Sequence, residues 1–198
     1  MSRRLSLSPA LLAPVAALAL GGCGINSVPT AEENAKARWA DVQNEYQRRA
    51  DLVPNLVATV KGYAKQESSV LVGVTEARAK ATSIQVGADD LKDPSKIQQF
   101  GAAQGQLSAA LGRLLSVTEN YPDLKSNTNF LALQSQLEGT ENRITIARRD
   151  YNGAVQQYNT LIRTFPNSIG AKVFYGAKPM QTFEATAPNA QSAPTVNF

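Results

Sequence analysis

The sequence predicts an all-α protein, an antiparallel up-and-down four-helix bundle with long helices and an extended C-terminal tail. Three observations support this fold class. A seven-residue apolar repeat runs along the last predicted helix, apolar stripes at three- and four-residue steps precede it, and the connections are short and contain proline or glycine. The pattern divides the 198-residue chain into a lipoprotein signal peptide at 1–22, a tether at 23–30, the bundle at 31–166 and an irregular tail at 167–198.

The first half of the bundle contains two predicted helices, over 31–49 and 54–83. Their stripes comprise Ala35, Trp39, Val42 and Tyr46 in the first helix, and Leu56, Val60, Tyr63, Val70 and Val74 in the second. Between them, Pro54 disfavours helical angles at Val53 and suits a first helical turn. We therefore expect a break at 51–54, although a kink within one long helix is also compatible with the pattern.

The third predicted helix starts at Asp93, because an aspartate N-cap followed by Pro94 in the first helical position is a typical helix start. Its apolar stripe comprises Ile97, Phe100, Leu107, Leu111, Leu114 and Tyr121. Pro122 ends this helix, since proline lacks the amide hydrogen that a helix interior requires.

The fourth predicted helix, over 127–163, has the clearest pattern. Its seven-residue series is Phe130, Leu137, Ile144, Tyr151, Tyr158 and Phe165, with Leu133, Thr140, Ala147, Ala154 and Leu161 at the intermediate positions. Such a seam, typical of coiled coils, predicts a buried face. Gly139 and Gly153 each cost a helix about 1 kcal/mol relative to alanine. We expect these glycines to allow a neighbouring helix or side chain to approach closely.

The N-terminus has the pattern of a secretory signal peptide, in which Arg3 and Arg4 precede an apolar run over 5–20. The run leads into LGGC at 20–23, which resembles the lipobox of bacterial lipoproteins, where the cysteine is acylated and the chain is cut before it. We expect Cys23, the only cysteine, to carry the lipid. Two or three acyl chains would attach the protein stably to a membrane. The alternatives are an uncleaved membrane anchor and ordinary cleavage.

Composition excludes several classes of function. The chain has no histidine, which removes histidine-activated nucleophiles, a histidine general base and the usual zinc and di-iron ligand sets. We therefore predict no enzymatic activity, no cofactor and no metal. The formal charge is +4, and cleavage would remove Arg3 and Arg4 but no acidic residue, leaving +2. That charge is too small for a nucleic-acid-binding protein, so nucleic acid is not an expected partner.

Four carboxylates could contribute to a site: Glu119, Asp123, Glu138 and Glu141. Without histidine, a site built from them would have to bind a hard cation, and Glu138 and Glu141 are its first candidates. The alternative, which we favour, is that these carboxylates pair with Arg143, Arg148 and Arg149 or cap helices.

Five further residues have alternative roles. Arg48 and Arg49 are expected to close the first helix, since cations suit a helix C-terminus, but they could also touch anionic lipid heads. Trp39 lies on the apolar stripe, so we expect a core residue rather than a ligand clamp. Asn152 and Asn159 are one heptad apart, where asparagines can fix the register of a bundle or face solvent.

Six phrases follow one another along the chain: RRADLVPNLV at 48–57, VKGYA at 60–64, ENYPDLK at 119–125, LEGTENRI at 137–144, ARRDYN at 147–152 and FP at 165–166. Together they resemble the LemA family of bacterial envelope proteins along nearly the whole mature chain. The resemblance implies a four-helix-bundle domain that is anchored to a membrane at its N-terminus and has no established enzymatic activity. Many members look anchored by an uncleaved N-terminal helix, so the lipobox of this chain indicates a different attachment.

The final segment, 185–198, is rich in alanine, proline and small polar residues and cannot build a core. Near its end, Val196 and Phe198 are separated by one residue. Domains that bind chain ends by strand addition, such as PDZ modules, take up alternate side chains of this kind. We therefore consider Val196 and Phe198 as partner-binding residues. The alternative is that both fold back onto the bundle.

The sequence thus predicts a lipid-anchored protein of the cell membrane or outer membrane, with its domain outside the cytoplasm. We expect a non-enzymatic scaffold or protein-interaction module of the bacterial cell envelope. Its expected partners are the membrane, through the N-terminal lipid or anchor, and an unidentified envelope protein. The alternative function is a small-ligand or hard-cation binding protein that uses helix carboxylates.

Overall fold

The computed structural model describes residues 26–183, and this part of the chain is all-α, as predicted. Its helices are α1 (Ser27–Tyr63), α2 (Ser68–Ser83), α3 (Pro94–Thr118), α4 (Pro122–Lys125), α5 (Thr128–Leu161) and α6 (Asn167–Val173), with a 3-10 turn at Asp89–Lys92 between α2 and α3. The predicted signal peptide, Cys23, Val196 and Phe198 lie outside the described residues.

α1 continues through Pro54, so the break that we expected at 51–54 is wrong, and the alternative of one continuous helix holds as far as Tyr63. Pro54 has no amide hydrogen to donate to the carbonyl of Ala50, four residues earlier. Instead, the Nε of Arg78 in α2 donates to that carbonyl at 2.7 Å. A hydrogen bond from a neighbouring helix thus replaces the one that proline removes.

The chain breaks instead at 64–67, inside the second predicted helix. Ala64 ends α1 with φ −117° and ψ 57°, and Glu67 immediately precedes α2. The hydroxyl of Tyr121 donates to the carboxylate of Glu67 at 3.0 Å, which ties this turn to the connection that follows α3. The predicted start of α3 is confirmed, since the Asp93 side chain accepts a hydrogen bond from the Ser95 amide.

α1 and α5 pack side by side and run antiparallel. Arg143 donates to Glu45 at 2.9 Å, and one turn further along α1 the side chain of Arg49 donates to Glu141 at 2.9 Å. Residue numbers on α5 therefore fall as those on α1 rise. α2 packs against both α1 and α3.

Two apolar clusters form the core, one around Trp39 and Tyr151 and the other around Leu56 and Leu137. The predicted seam of α5 is buried at Phe130, Leu137, Ile144, Tyr151 and Tyr158. Its last position fails, because α5 ends at Leu161 and the side chain of Phe165 is 80% exposed.

The two glycines inside α5 do not serve close packing, contrary to our expectation. A Cβ placed on Gly153 would meet no atom within 4 Å. A Cβ placed on Gly139 would lie 3.6 Å from Nη1 of Arg143, an ordinary contact with a flexible side chain. Neither position requires glycine to admit a neighbour.

Candidate interaction site

The first part of the predicted irregular tail is an ordered element of the fold. After α6, Gly176 has φ +54°, a left-handed conformation that favours glycine, and the chain turns back along α5. Residues 177–183, here called the strap, have no regular secondary structure. The side chains of Met180 and Phe183 are nevertheless buried, and the amide of Gln181 donates to the carbonyl of Leu91 at 2.8 Å.

Two asparagines of α5 bind the backbone of the strap. The Asn159 side chain donates to the carbonyl of Met180 at 2.8 Å and accepts from its amide at 2.9 Å. The Asn152 side chain donates to the carbonyl of Phe183 at 2.9 Å and accepts from its amide at 2.7 Å. A carboxamide offers one donor side and one acceptor side, so each asparagine satisfies one residue of an extended chain in the way a neighbouring strand would.

Two tyrosines, each one residue before an asparagine on α5, also bind the strap, but only through its carbonyls. The hydroxyl of Tyr158 donates to the carbonyl of Lys178 at 3.2 Å, and that of Tyr151 donates to the carbonyl of Gln181 at 2.8 Å. The Tyr-Asn pairs at 151–152 and 158–159 thus form two equivalent sites, here called the clamp.

The spacing of the clamp matches that of an extended chain. Seven helical residues advance about 10.5 Å, and three extended residues advance about 10 Å. From one Tyr-Asn pair to the other, the contacted strap residue changes by three, between 180 and 183 for asparagine and between 178 and 181 for tyrosine. The clamp therefore binds the strap backbone in one register, with the strap running antiparallel to α5.

Burial keeps the tyrosine hydroxyls of the clamp protonated. Desolvation raises the pKa of Tyr158 to about 12, and it raises the pKa of Tyr151 further. Both groups therefore remain hydrogen-bond donors at any physiological pH.

An aromatic pocket holds the last described residue. The ring centroid of Phe183 lies 6.1 Å from those of Trp39 and Tyr46 and 6.2 Å from that of Phe100. The guanidinium of Arg148 lies 4.3 Å from the Phe183 centroid. The prediction that Trp39 belongs to the core is confirmed, and its indole Nε1 also donates to the carbonyl of Val86 at 3.0 Å.

The clamp was missed at the sequence level although its signal was present. Asn152 and Asn159 bind the strap, rather than setting the register between helices or facing solvent. The repeated Tyr-Asn dipeptide, in heptad register, was the available pattern. Its partner could not be identified, because nothing local in 177–183 indicates an ordered segment.

A second polar cluster surrounds Arg49, whose side chain is 1% exposed between the two apolar clusters. Its guanidinium donates to the Ser108 hydroxyl at 2.6 Å, Glu141 at 2.9 Å, the Gln104 carbonyl at 3.0 Å and the Gln104 side-chain oxygen at 2.8 Å. The expectation that Arg48 and Arg49 close a helix is wrong, because α1 continues to Tyr63. Arg48 is exposed and lies 3.8 Å from Glu45.

The proposed cation ligands are engaged with other groups. Glu141 pairs with Arg49, and Glu138 accepts a hydrogen bond from the side-chain Nε2 of Gln134 at 3.2 Å. Between residues 26 and 183, no group of three or more acidic, histidine or cysteine side chains is placed to hold a metal ion. A cation at Glu138 and Glu141 stays a prediction, and it would compete with Arg49 for the Glu141 carboxylate.

Among the helices of the described residues, none combines the length and apolar character needed to cross a membrane.

Comparison with known proteins identifies a family. The sequence model of the LemA family matches residues 38–198. The chain is 27% identical over 157 residues to the magnetosome protein MamQ 2 of Paramagnetospirillum magneticum, covering 71% of this chain and 58% of that protein. It is 29% identical over 130 residues to the protein LemA of Metamycoplasma hominis, covering 65% of this chain and 55% of that one. The chain thus spans little more than half the length of these curated relatives.

Proposed function

This chain belongs to the LemA family, and we propose that it is a membrane-anchored, non-enzymatic scaffold of the bacterial cell envelope whose C-terminal tail binds a partner protein. The four long helices, α1, α2, α3 and α5, form an antiparallel up-and-down bundle in this proposal. The antiparallel α1–α5 pair and the contacts of α2 with α1 and α3 support that arrangement.

The observation that carries the proposal is the anchoring of Phe183. Its ring is buried, and Asn152 binds both its amide and its carbonyl. Residues 184–198 therefore start from a fixed point on the side of the helices. Fifteen residues can span at most about 50 Å when fully extended. A scaffold that displays a binding segment needs such a fixed origin, because a fixed origin raises the local concentration of the segment near its partner.

Val196 and Phe198 are the proposed recognition residues of this segment. They are separated by Asn197, so a partner that holds this segment as an extended strand would meet both side chains on one side. A partner that adds this segment to a sheet edge would obtain affinity from the backbone and specificity from two apolar pockets. The partner class is therefore an envelope protein with an exposed sheet edge.

The membrane anchor is proposed at Cys23. Its support is the sequence LGGC at 20–23 after an apolar run with two arginines before it. In the Cys23→Ala variant we expect an uncut precursor of higher mass in place of the processed protein. A wild-type protein that retains residues 1–22 in mature membranes would refute cleavage and indicate the uncleaved anchor.

The partner proposal is tested by photocrosslinking in intact membranes. A photoreactive amino acid at Asn197 is expected to capture an envelope protein, and the same group at the exposed Leu131 serves as the matched control. Deletion of 196–198 should abolish capture from a photoreactive group placed at Ser192, while helicity and melting temperature stay unchanged. A marked fall in melting temperature would instead show that the tail is part of the fold.

A further inference from the structure

Exposed apolar side chains on α6 and at its two ends form a patch, here called the α6 patch. It comprises Phe165, Ile169, Val173 and Phe174, whose side chains are 57 to 80% exposed. The neighbouring Tyr175 is 42% exposed. The other exposed large apolar residues of the described chain, such as Val72 and Leu131, lie outside α6 and far apart along α1, α2 and α5. Clustered exposed apolar residues mark an interaction surface, whereas scattered ones are ordinary.

The patch lies where the chain is proposed to meet the membrane. α6 packs against α1, and its buried Ala171 shares an apolar cluster with Val28 in the first turn of α1. Cys23 is four residues before Ser27, so an extended connection between them measures at most about 14 Å. A lipid on Cys23 would therefore hold this end of α1, and α6 with it, close to the bilayer surface.

The charges around the patch suit a bilayer with anionic lipids. Between residues 161 and 183 the chain carries Arg163, Lys172 and Lys178 and no aspartate or glutamate. All three basic residues are exposed. Aromatic and aliphatic side chains flanked by lysine and arginine are the usual composition of segments that lie in the membrane interface.

We propose that the α6 patch inserts into the lipid–water interface beside the N-terminal anchor, as a second membrane contact that sets the orientation of the helices. The proposal rests on the anchor at Cys23 proposed above. One flexible tether would leave the domain free to rotate about its attachment, whereas two contacts define which side faces outward. The strap, which follows α6 directly, would then present the tail at a defined height above the bilayer.

The test uses the acylated full-length protein in vesicles of phosphatidylethanolamine and phosphatidylglycerol with brominated acyl chains, which quench tryptophan at short range. Phe174→Trp introduces a reporter into the patch. Leu131→Trp and Val72→Trp are matched controls at exposed apolar positions, and Leu131 lies about 45 Å along α5 from Leu161. The native Trp39 is buried and gives a constant background that the wild-type protein measures.

Vesicle flotation and quenching together separate the two proposals. We expect the protein to float with the vesicles, and the Phe174→Trp emission to shift to the blue and to lose at least half its intensity. Both controls should stay close to wild type. Flotation with equal quenching at positions 174, 131 and 72 would overturn the α6 contact and leave the anchor intact. A blue shift at 174 without quenching would indicate that the patch is covered by a second copy of the protein and would also overturn the α6 contact.

Absence of flotation for the acylated wild-type protein would refute the anchor, and the α6 contact with it.

A second variant tests the patch without a tryptophan reporter, which could itself disturb the surface. Combined Ile169→Ser, Val173→Ser and Phe174→Ser substitutions alter only exposed side chains and should leave the melting temperature unchanged. In proteoliposomes these substitutions should increase proteolysis at α6 several-fold. Unchanged protease resistance would contradict the insertion of the patch.

Discussion

Arg49 and Glu141 form an ion pair of 2.9 Å whose two members lie in very different surroundings. The Arg49 side chain is 1% exposed, and that of Glu141 is 45% exposed. The arginine crosses from α1 to α5 and also binds Ser108 and Gln104 of α3, so one side chain joins three helices. Because a buried guanidinium needs several acceptors, removal of the arginine and removal of the glutamate should have unequal effects.

Substitution of Arg49 should cost far more stability than substitution of Glu141. Arg49→Ala removes the packing of a long side chain and leaves the buried Gln104 side-chain oxygen without its donor, so we expect a loss of about 3 kcal/mol. The loss for Arg49→Lys should lie between those for Arg49→Ala and Glu141→Gln. A single ammonium group cannot reach acceptors on two helices as a planar guanidinium does. Glu141→Gln should cost less, about 1–1.5 kcal/mol, because the glutamine side-chain oxygen still accepts from the guanidinium although the buried charge loses its counter-charge. Urea unfolding measures all three, and equal losses for Arg49→Ala and Glu141→Gln would contradict this account.

Arg78 should stabilise the protein chiefly by replacing the helical hydrogen bond that Pro54 removes. Arg78→Ala leaves the buried Ala50 carbonyl without a donor, which should cost about 1–3 kcal/mol. In a Pro54→Ala background the amide of residue 54 can donate to Ala50 within the helix, so the same Arg78 substitution should cost at least 1 kcal/mol less. The double-mutant cycle is measured by urea unfolding. Additive losses would show that the Arg78 hydrogen bond does not compensate for the proline.

The helix seam allows a comparison between core and cap. Leu137→Ala and Ile144→Ala should each destabilise by about 2–5 kcal/mol, since both side chains are buried. Asn127 lies outside the seam, but its side chain caps α5 by accepting from the Phe130 amide at 3.0 Å. We therefore expect about 1 kcal/mol for this cap rather than a negligible loss. Thermal unfolding ranks the three variants by their loss of stability. Small and equal losses for all three would show that α5 is not central to the core.

Alkaline pH should destabilise the protein through its buried tyrosines. The pKa of Tyr158 is raised from 10.0 to about 12 by burial. Between pH 10 and 12 the unfolded chain therefore loses this proton while the folded state retains it, so stability falls as pH rises. Tyr158→Phe should lower stability at neutral pH by about 1 kcal/mol and make the alkaline decline shallower. A decline as steep as that of the wild type would show that Tyr158 does not contribute.

Local patterns and long-range contacts differed in how far the sequence could predict them. The heptad seam of α5 and the Asp93 start of α3 were predictable, because spacing and capping are properties of neighbouring residues. The continuity of α1 through Pro54 was not, because it depends on Arg78 from another helix. The order of 177–183 depends in the same way on contacts with α5 and on the bond from Gln181 to Leu91.

The clamp should control the strap one residue at a time. The Met180 amide donates to Asn159, the Phe183 amide donates to Asn152, and the Gln181 amide between them donates to Leu91 on the opposite side. Asn159→Ala should therefore speed hydrogen exchange at Met180, and Asn152→Ala at Phe183. We expect about fivefold to tenfold in each case, because one net hydrogen bond contributes about 1 kcal/mol.

Exchange at the Gln181 amide is the internal control, since neither substitution removes its acceptor. It should change by less than twofold in each single variant, and both clamp amides should become fast in the double variant Asn152→Ala with Asn159→Ala. Substitution by aspartate tests the same contact differently. Asn152→Asp retains an acceptor for the Phe183 amide but loses the donor to the Phe183 carbonyl, so it should protect that amide better than alanine does. If all three amides instead accelerate together in each single variant, the strap opens as one unit and the two Tyr-Asn pairs do not act as separate sites.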